Sequence, residues 1–198
     1  MARTGRPRAF DRDDAVSKAM NLFWEKGFES TSLADLRETL GKMSSASFYA
    51  AFGSKQALYK ECLERYVQSC GAASSVLDDN LMSPRECMQT MLYDTISMQT
   101  SPLSPSGCMA VLSGLNCLDE NKEVEALTRQ VRKDTRDAIQ RCVIRGFEQG
   151  QLPQTMNVEA YTLMLDCFVK GISLQARDGL SGQVLKEAAD QLLDCWSC

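Results

Sequence analysis

The chain has no histidine among its 198 residues. That removes the commonest general acid/base and the usual partner of a nucleophilic serine or cysteine. Gly-rich phosphate loops of the Gly-x-x-x-x-Gly-Lys-Ser/Thr or Gly-x-Gly-x-x-Gly kind are also missing, so no enzyme is expected. No apolar run approaches the roughly 18 residues that a membrane-spanning helix needs. The opening residues lack the basic, apolar and small succession of a signal peptide, because Arg3, Arg6 and Arg8 lead into Phe10-Asp11-Arg12-Asp13-Asp14; a cytoplasmic location is expected. Internal repeats, low-complexity tracts and strict apolar–polar alternation are absent too, and the last of these argues against strands.

Cysteine is plentiful, at nine. The number is odd and no secretory signal accompanies it, so a disulfide framework is not expected. Cys62, Cys70, Cys142 and Cys167 fall within helical apolar patterns, where a reduced thiol acts as a small hydrophobe. Cys195-Trp196-Ser197-Cys198 has the spacing of half a zinc site, but without a second pair or a histidine it points to no metal and no cofactor. A hydrophobic content of 44% with 24% charged residues fits a packed globular chain of one or two domains.

Charge is unevenly spread. Residues 1–60 carry ten Lys and Arg against seven Asp and Glu, a net +3, while the remainder carries -7 within an overall -4. A basic head on an acidic body suggests that only the head meets a polyanion. Apolar residues recur three and four apart throughout, which predicts an all-α fold. The expected helices are one from an Asp11 cap to Gly27, a short one from a Thr31 cap to Gly41, and one from a Ser44 cap to Phe52. A fourth starts at Ser54, and others follow near 83–99, 107–117, 120–149, 157–177 and 181–196. Residues 100–107, Thr-Ser-Pro-Leu-Ser-Pro-Ser-Gly, read as a loop.

Two short helices joined by a tight turn, the second opening on small residues, form the geometry that places a recognition helix in the DNA major groove. Ser44, Ser45, Ala46 and Ser47 are short enough to let that helix approach base edges, while Phe48 and Phe52 face the core. Tyr49, on the outer face, can bond a phosphate oxygen, and the helix starts at Thr31-Ser32 and Ser54-Lys55 can clamp the backbone on either side. Gly5-Arg6-Pro7-Arg8 is either a basic arm for the minor groove, with Arg6 and Arg8 as its charges, or a solvated tail.

Gly27-Phe28-Glu29-Ser30-Thr31-Ser32-Leu33, followed by the run from Ser47-Phe48-Tyr49 through Phe52-Gly53-Ser54-Lys55 to Leu58, resembles the TetR family of regulators over about residues 8–60. The resemblance implies a helix-turn-helix DNA-binding domain at 1–55, a helical effector-binding and dimerisation domain at 56–198, and phosphate contacts by Tyr49 and Lys55. It implies a homodimeric regulator of a pseudo-palindromic double-stranded DNA operator, in the family's common mode a repressor. One departure stands out: Gly41 to Tyr49 is eight steps where the family usually has seven, with Lys42 and Met43 in place of one apolar residue. Either the turn is a residue longer or Lys42 replaces its glycine. A shift of one residue turns the reading face by about 100°, which leaves open whether Ser44, Ser45 or Ser47 faces the bases.

The body carries less signature. Tyr161, Leu165, Phe168, Ile172 and Ala176 on one helix, with Leu185, Ala188, Leu192 and Trp196 on the next, form apolar stripes that serve either a four-helix dimer contact or the monomer core. Met88, Met91, Thr95 and Met98, with Cys108 and Met109 after the loop, line either a pocket for an apolar or electrophilic effector or simply the core. Gly107-Cys108-Met109-Ala110-Val111 also resembles a run in electrophile-responsive family members; a thiol sensor there requires Cys108 to be exposed with a lowered pKa. The remaining alternative is a helical protein-interaction module that binds no DNA.

Overall fold

The computed structural model describes residues 11–196, and every element among them is helical. Nine α-helices follow one another: α1 (Arg12–Lys26), α2 (Leu33–Thr39), α3 (Ser45–Phe52), α4 (Lys55–Gln68), α5 (Pro84–Gln99), α6 (Met109–Leu112), α7 (Lys122–Glu148), α8 (Val158–Arg177) and α9 (Gly182–Leu193). Two 3-10 segments, Ala72–Asp78 and Asp119–Asn121, lead into α5 and α7. The arm residues Arg6 and Arg8, and Cys198 of the Cys-x-x-Cys pair, lie outside the described residues.

Local chemistry sets these boundaries. Asp11, Ser32, Ser44, Ser54, Ser83, Asn157 and Ser181 each accept a backbone N–H of the helix they precede, satisfying a donor that has no partner inside the helix. Pro84 occupies the first turn of α5, where its missing N–H costs nothing. The helix expected over 107–117 is much shorter. After α6 the Ser113 hydroxyl turns back to the Met109 carbonyl at 2.6 Å, and Gly114 is pressed against Thr128 so closely that a side chain has no room.

Two apolar cores result. One lies within the body, where α5, α7, α8 and α9 bury Met88, Leu92, Ile139, Val143, Leu165 and Leu185. The other is built from α1 to α4 around Phe23, Trp24, Phe28, Leu36, Phe48 and Tyr59, and it also takes in Met109, Ala110 and Val124 from the body. A division at 55/56 therefore falls in the first turn of α4, whose Leu58, Cys62, Leu63 and Tyr66 pack in the head's core. The apolar period along the chain is thus translated into helices whose inner faces join head to body.

The C-terminal end of the body closes on one ring. Trp196 donates to the Tyr161 hydroxyl at 2.7 Å, and that hydroxyl donates to the Leu192 carbonyl at 2.8 Å. A Cβ at Gly146 would stand 2.3 Å from the Trp196 ring. Overpacking of this kind typically costs about 1–3 kcal/mol, so Gly146→Ala should lower stability by about that amount in urea denaturation, while an unchanged midpoint would contradict the packing.

Candidate nucleic-acid interface and the chamber behind it

The head presents the amino-terminal half of α3 to solvent. Phe48 and Phe52 point inward and fix the helix by their rings, whereas Ser45, Ala46, Tyr49 and Ala50 are exposed, Tyr49 to 51%. The Ser44 hydroxyl caps the helix through the Ser47 N–H at 3.1 Å and lies 2.9 Å from the Ser47 hydroxyl. Both of those hydroxyls are thereby engaged with each other. Ser45, whose side chain makes no such bond, carries the free hydroxyl of the first turn.

The turn holds Lys42 in a conformation usually left to glycine. Gly41 has φ 86° and Lys42 follows with φ 61°, so two successive left-handed residues separate α2 from α3. Met43 is then held from both sides. Its N–H donates to the Arg37 carbonyl at 3.0 Å, and its carbonyl accepts from Arg37 Nε at 2.8 Å.

The cap of α2 differs from the expected one. Ser32, not Thr31, has the extended cap conformation and accepts the Asp35 N–H, while Asp35 accepts from both the Ser32 N–H and hydroxyl. Those bonds hold the Asp35 carboxyl down to about 2. Thr31 is fully buried and donates to the Gly27 carbonyl at 2.6 Å, so its hydroxyl satisfies the end of α1 and faces away from any ligand on the surface. At the start of α4, Ser54 caps the helix and Lys55 lays its ammonium 4.1 Å from the centre of the Phe28 ring. Burial there holds the ammonium below its ordinary pKa, against an opposing pull from Glu29. A positive group at a helix start, placed by an aromatic face, is suited to a phosphate oxygen.

Behind the head, the segment from Gly107 to Ser113 acts as a plug. Trp24 donates to the Gly107 carbonyl at 3.0 Å, the Phe28 N–H donates to the Ser113 carbonyl at 2.8 Å, and the Tyr59 and Ser113 hydroxyls meet at 2.5 Å. Arg177 of α8 reaches the carbonyls of Trp24, Glu25 and Ser106. Glu29 accepts from Leu118 and Asn121, and Asn121 accepts from Gln56.

The other side of this plug faces a chamber in the body lined by Met91, Thr95, Met98 and Cys108, together with Tyr66, Arg132 and Asp166. Four of the six expected effector residues therefore meet there. Met88 and Met109 do not; each is fully buried, Met88 in the body core and Met109 in the head core. Cys108 accepts a hydrogen bond from the Tyr66 hydroxyl at 3.1 Å, but burial pushes its thiol pKa up despite that bond and the nearby amides of Ala110 and Val111. The lowered pKa required of a thiol sensor is not met at this position.

Most of the side chains expected to form the dimer stripes pack within the body itself. Tyr161, Leu165, Ile172, Leu185 and Trp196 are buried in the body core, with Phe168 and Leu192 packed partly against it; of that set only Ala188 is exposed. α8 is apolar on two faces. Its outward one carries Leu163 (53% exposed), Met164, Cys167 and Leu174 (58% exposed), continued on α9 by Val184 and Ala188. The period is as expected, but the outward stripe runs through neighbouring positions that the sequence pattern did not separate from the inward one.

The turn makes a specific claim. A left-handed conformation costs a non-glycine residue about 1 kcal/mol, so Lys42→Gly should stabilise the protein by an amount of that order, less the glycine entropy. Urea denaturation reads the difference; a loss of stability would mean that Lys42 contributes contacts not accounted for by its backbone.

Comparison with known proteins agrees with this geometry. Residues 15–62 match the model of the bacterial regulatory proteins of the tetR family. The HTH-type transcriptional repressor BdcR of Escherichia coli (strain K12) is 31% identical, with 89% of this chain and 84% of BdcR covered. The HTH-type transcriptional repressor ComR of the same organism is 29% identical over 97% of this chain and 91% of its own length. Among solved structures, a cysteine mutant of the TetR family transcriptional regulator CifR complexed with 26-bp double-strand operator DNA is 34% identical, with a TM-score of 0.85 over 97% of this chain and all of that one. E. coli NemR in its reduced form, at 20% identity and a TM-score of 0.73 over 94% of this chain and 96% of its own, shares the fold. The chain belongs to the TetR family of bacterial regulatory proteins.

Proposed function

We propose that the protein is a homodimeric transcriptional repressor that holds operator DNA through α3 and the start of α4 and releases it when the body chamber is occupied by a small molecule. The observation that carries this reading is the exposed first half of α3, with Ser45, Ala46 and Tyr49 outward while Phe48 and Phe52 anchor the helix from behind. Small side chains there let the helix axis approach the base edges. The names of ComR and BdcR as repressors, and the operator complex of CifR, support it.

The roles divide by chemistry. Ser45, with its free hydroxyl, and Ala46 read bases; Ser44 and Ser47 form the cap that sets the helix start. Tyr49 and Lys55, with the α2 start at Ser32, hold phosphates and fix register without reading sequence. Arg6 and Arg8 add minor-groove contacts from the arm. A second copy covers the outward apolar stripe of α8 and α9, pairing two heads for successive major grooves about 34–36 Å apart. Acting on DNA implies a cytoplasmic location, and the chain performs no catalysis. Occupancy of the chamber is favoured over thiol modification as the signal because Cys108 is partly buried and its thiol pKa is raised.

Fluorescence anisotropy with a duplex from the protein's own upstream region tests this. Tight, salt-dependent binding at two chains per half-site pair, resistant to random DNA, is expected. Lys55→Ala should weaken operator and random DNA alike, by about tenfold, whereas Ser45→Ala should change affinity only at particular base pairs, by about 1–3 kcal/mol. Equal sequence preference in both variants would overturn the division of roles, and no binding at low salt would overturn the reading.

A further inference from the structure

The body chamber contains a polar atom that the fold leaves unsatisfied. Asp166 of α8 lines the chamber, its side chain is 2% exposed, and its Oδ2 is taken by Lys170, with Arg136 at 3.9 Å. Its Oδ1 is buried without a hydrogen-bond partner among the described residues, as is the Thr162 hydroxyl one turn earlier on the same helix. Buried acceptors are almost always paired, and an unpaired one is a standing cost that an incoming donor removes.

We infer that the chamber takes a neutral, mainly apolar molecule carrying a hydroxyl group, which donates to Asp166 Oδ1. This rests on the reading of the chamber as the effector site. The charges around the acceptor narrow the class. Lys170 and Arg132 line the same space and Arg136 faces Asp166 from α7, three cations to one carboxylate. A cationic ligand meets net repulsion there. An anionic one is drawn to those cations but has no hydrogen to donate, so it leaves Oδ1 unsatisfied. A hydroxyl is neutral, donates once to Oδ1 and leaves its own oxygen free to accept. The rest of the lining, with Met91, Met98, Val131 and Val169, accommodates an apolar body.

Size connects binding to release. The chamber holds about 60 Å³ of free space, less than the roughly 150 Å³ of a cavity that takes up benzene. A ligand of even that size must displace side chains, and Met91 and Met98 are the ones with the rotational freedom to yield. Cys108, Ala110 and Val111 form the wall toward the head. Expansion therefore presses on the plug that Trp24, Phe28 and Tyr59 hold, and it favours a head position other than the one that fits the operator.

Titration calorimetry with benzyl alcohol, toluene, benzylamine and benzoate on the purified full chain tests the inference. Benzyl alcohol should bind about tenfold or more tightly than toluene, as expected for a hydrogen bond to a charged acceptor, and both ions should bind less well than the alcohol. Asp166→Leu should abolish the preference for the alcohol and leave toluene binding in place. Should that variant fold poorly, the ranking on the unmodified chain decides. Equal affinity for alcohol and toluene, tightest binding by either ion, or no binding by any of the four would overturn the proposed class. Operator anisotropy on the same sample separates the two readings. Operator binding with no ligand taken up leaves the regulator standing without this effector class; the predicted ranking with no operator binding does the reverse.

Discussion

The arrangement depends on a short stretch of body backbone held inside the head. Ser113 offers its carbonyl to Phe28 and its hydroxyl to Tyr59, Gly107 offers its carbonyl to Trp24, and Met109 and Ala110 fill the apolar space between α1 and α4. Remove the plug and the head loses part of its core along with the partners of three buried donors. The head is in this sense completed by the body, and the orientation of α3 is referred back to α6, α7 and α8 through Arg177, Arg132 and Glu29. A DNA-reading helix on an independently stable head would hear nothing from a chamber behind it.

Electrostatics and packing divide the work. The net positive head provides attraction to DNA that is diffuse and sensitive to salt, while shape does the placing: Phe48 and Phe52 fix the roll of α3, and the two left-handed residues Gly41 and Lys42 set its distance from α2. Lys55 joins the two roles, since the ring of Phe28 positions a charge that would otherwise wander on a flexible stem. Phe28 also donates to the plug, which places Lys55 one side chain away from the coupling contact.

Much of this was legible in the amino-acid order. The all-helical class, the caps at Asp11, Ser44 and Ser54, and the outward Tyr49 follow from side-chain chemistry that acts within a few residues. What failed to show was tertiary. Thr31 and Ser32 both look like caps; only the unsatisfied Gly27 carbonyl decides that Thr31 turns inward. The long helix expected over 107–117 contracts to α6 because Gly114 must pass under Thr128. On α8 the apolar pattern covers two faces, and a periodicity cannot tell which of them meets the core when both are greasy. The unpaired Asp166 oxygen had no signal in the sequence, where an acid four residues before Lys170 reads as an ordinary surface pair.

The central claim is that head and body form one cooperative unit joined through the plug, and native-state hydrogen exchange measures that most directly. Amides of α4 between Leu58 and Tyr66 should open with the same free energy as those of the middle of α7, since both lose their protection only when the shared core comes apart. Exchange in α1 and α4 about tenfold or more faster than in α7, through an opening confined to the head, would mean that the head folds and moves by itself, and the proposed route from chamber to DNA would have no physical basis.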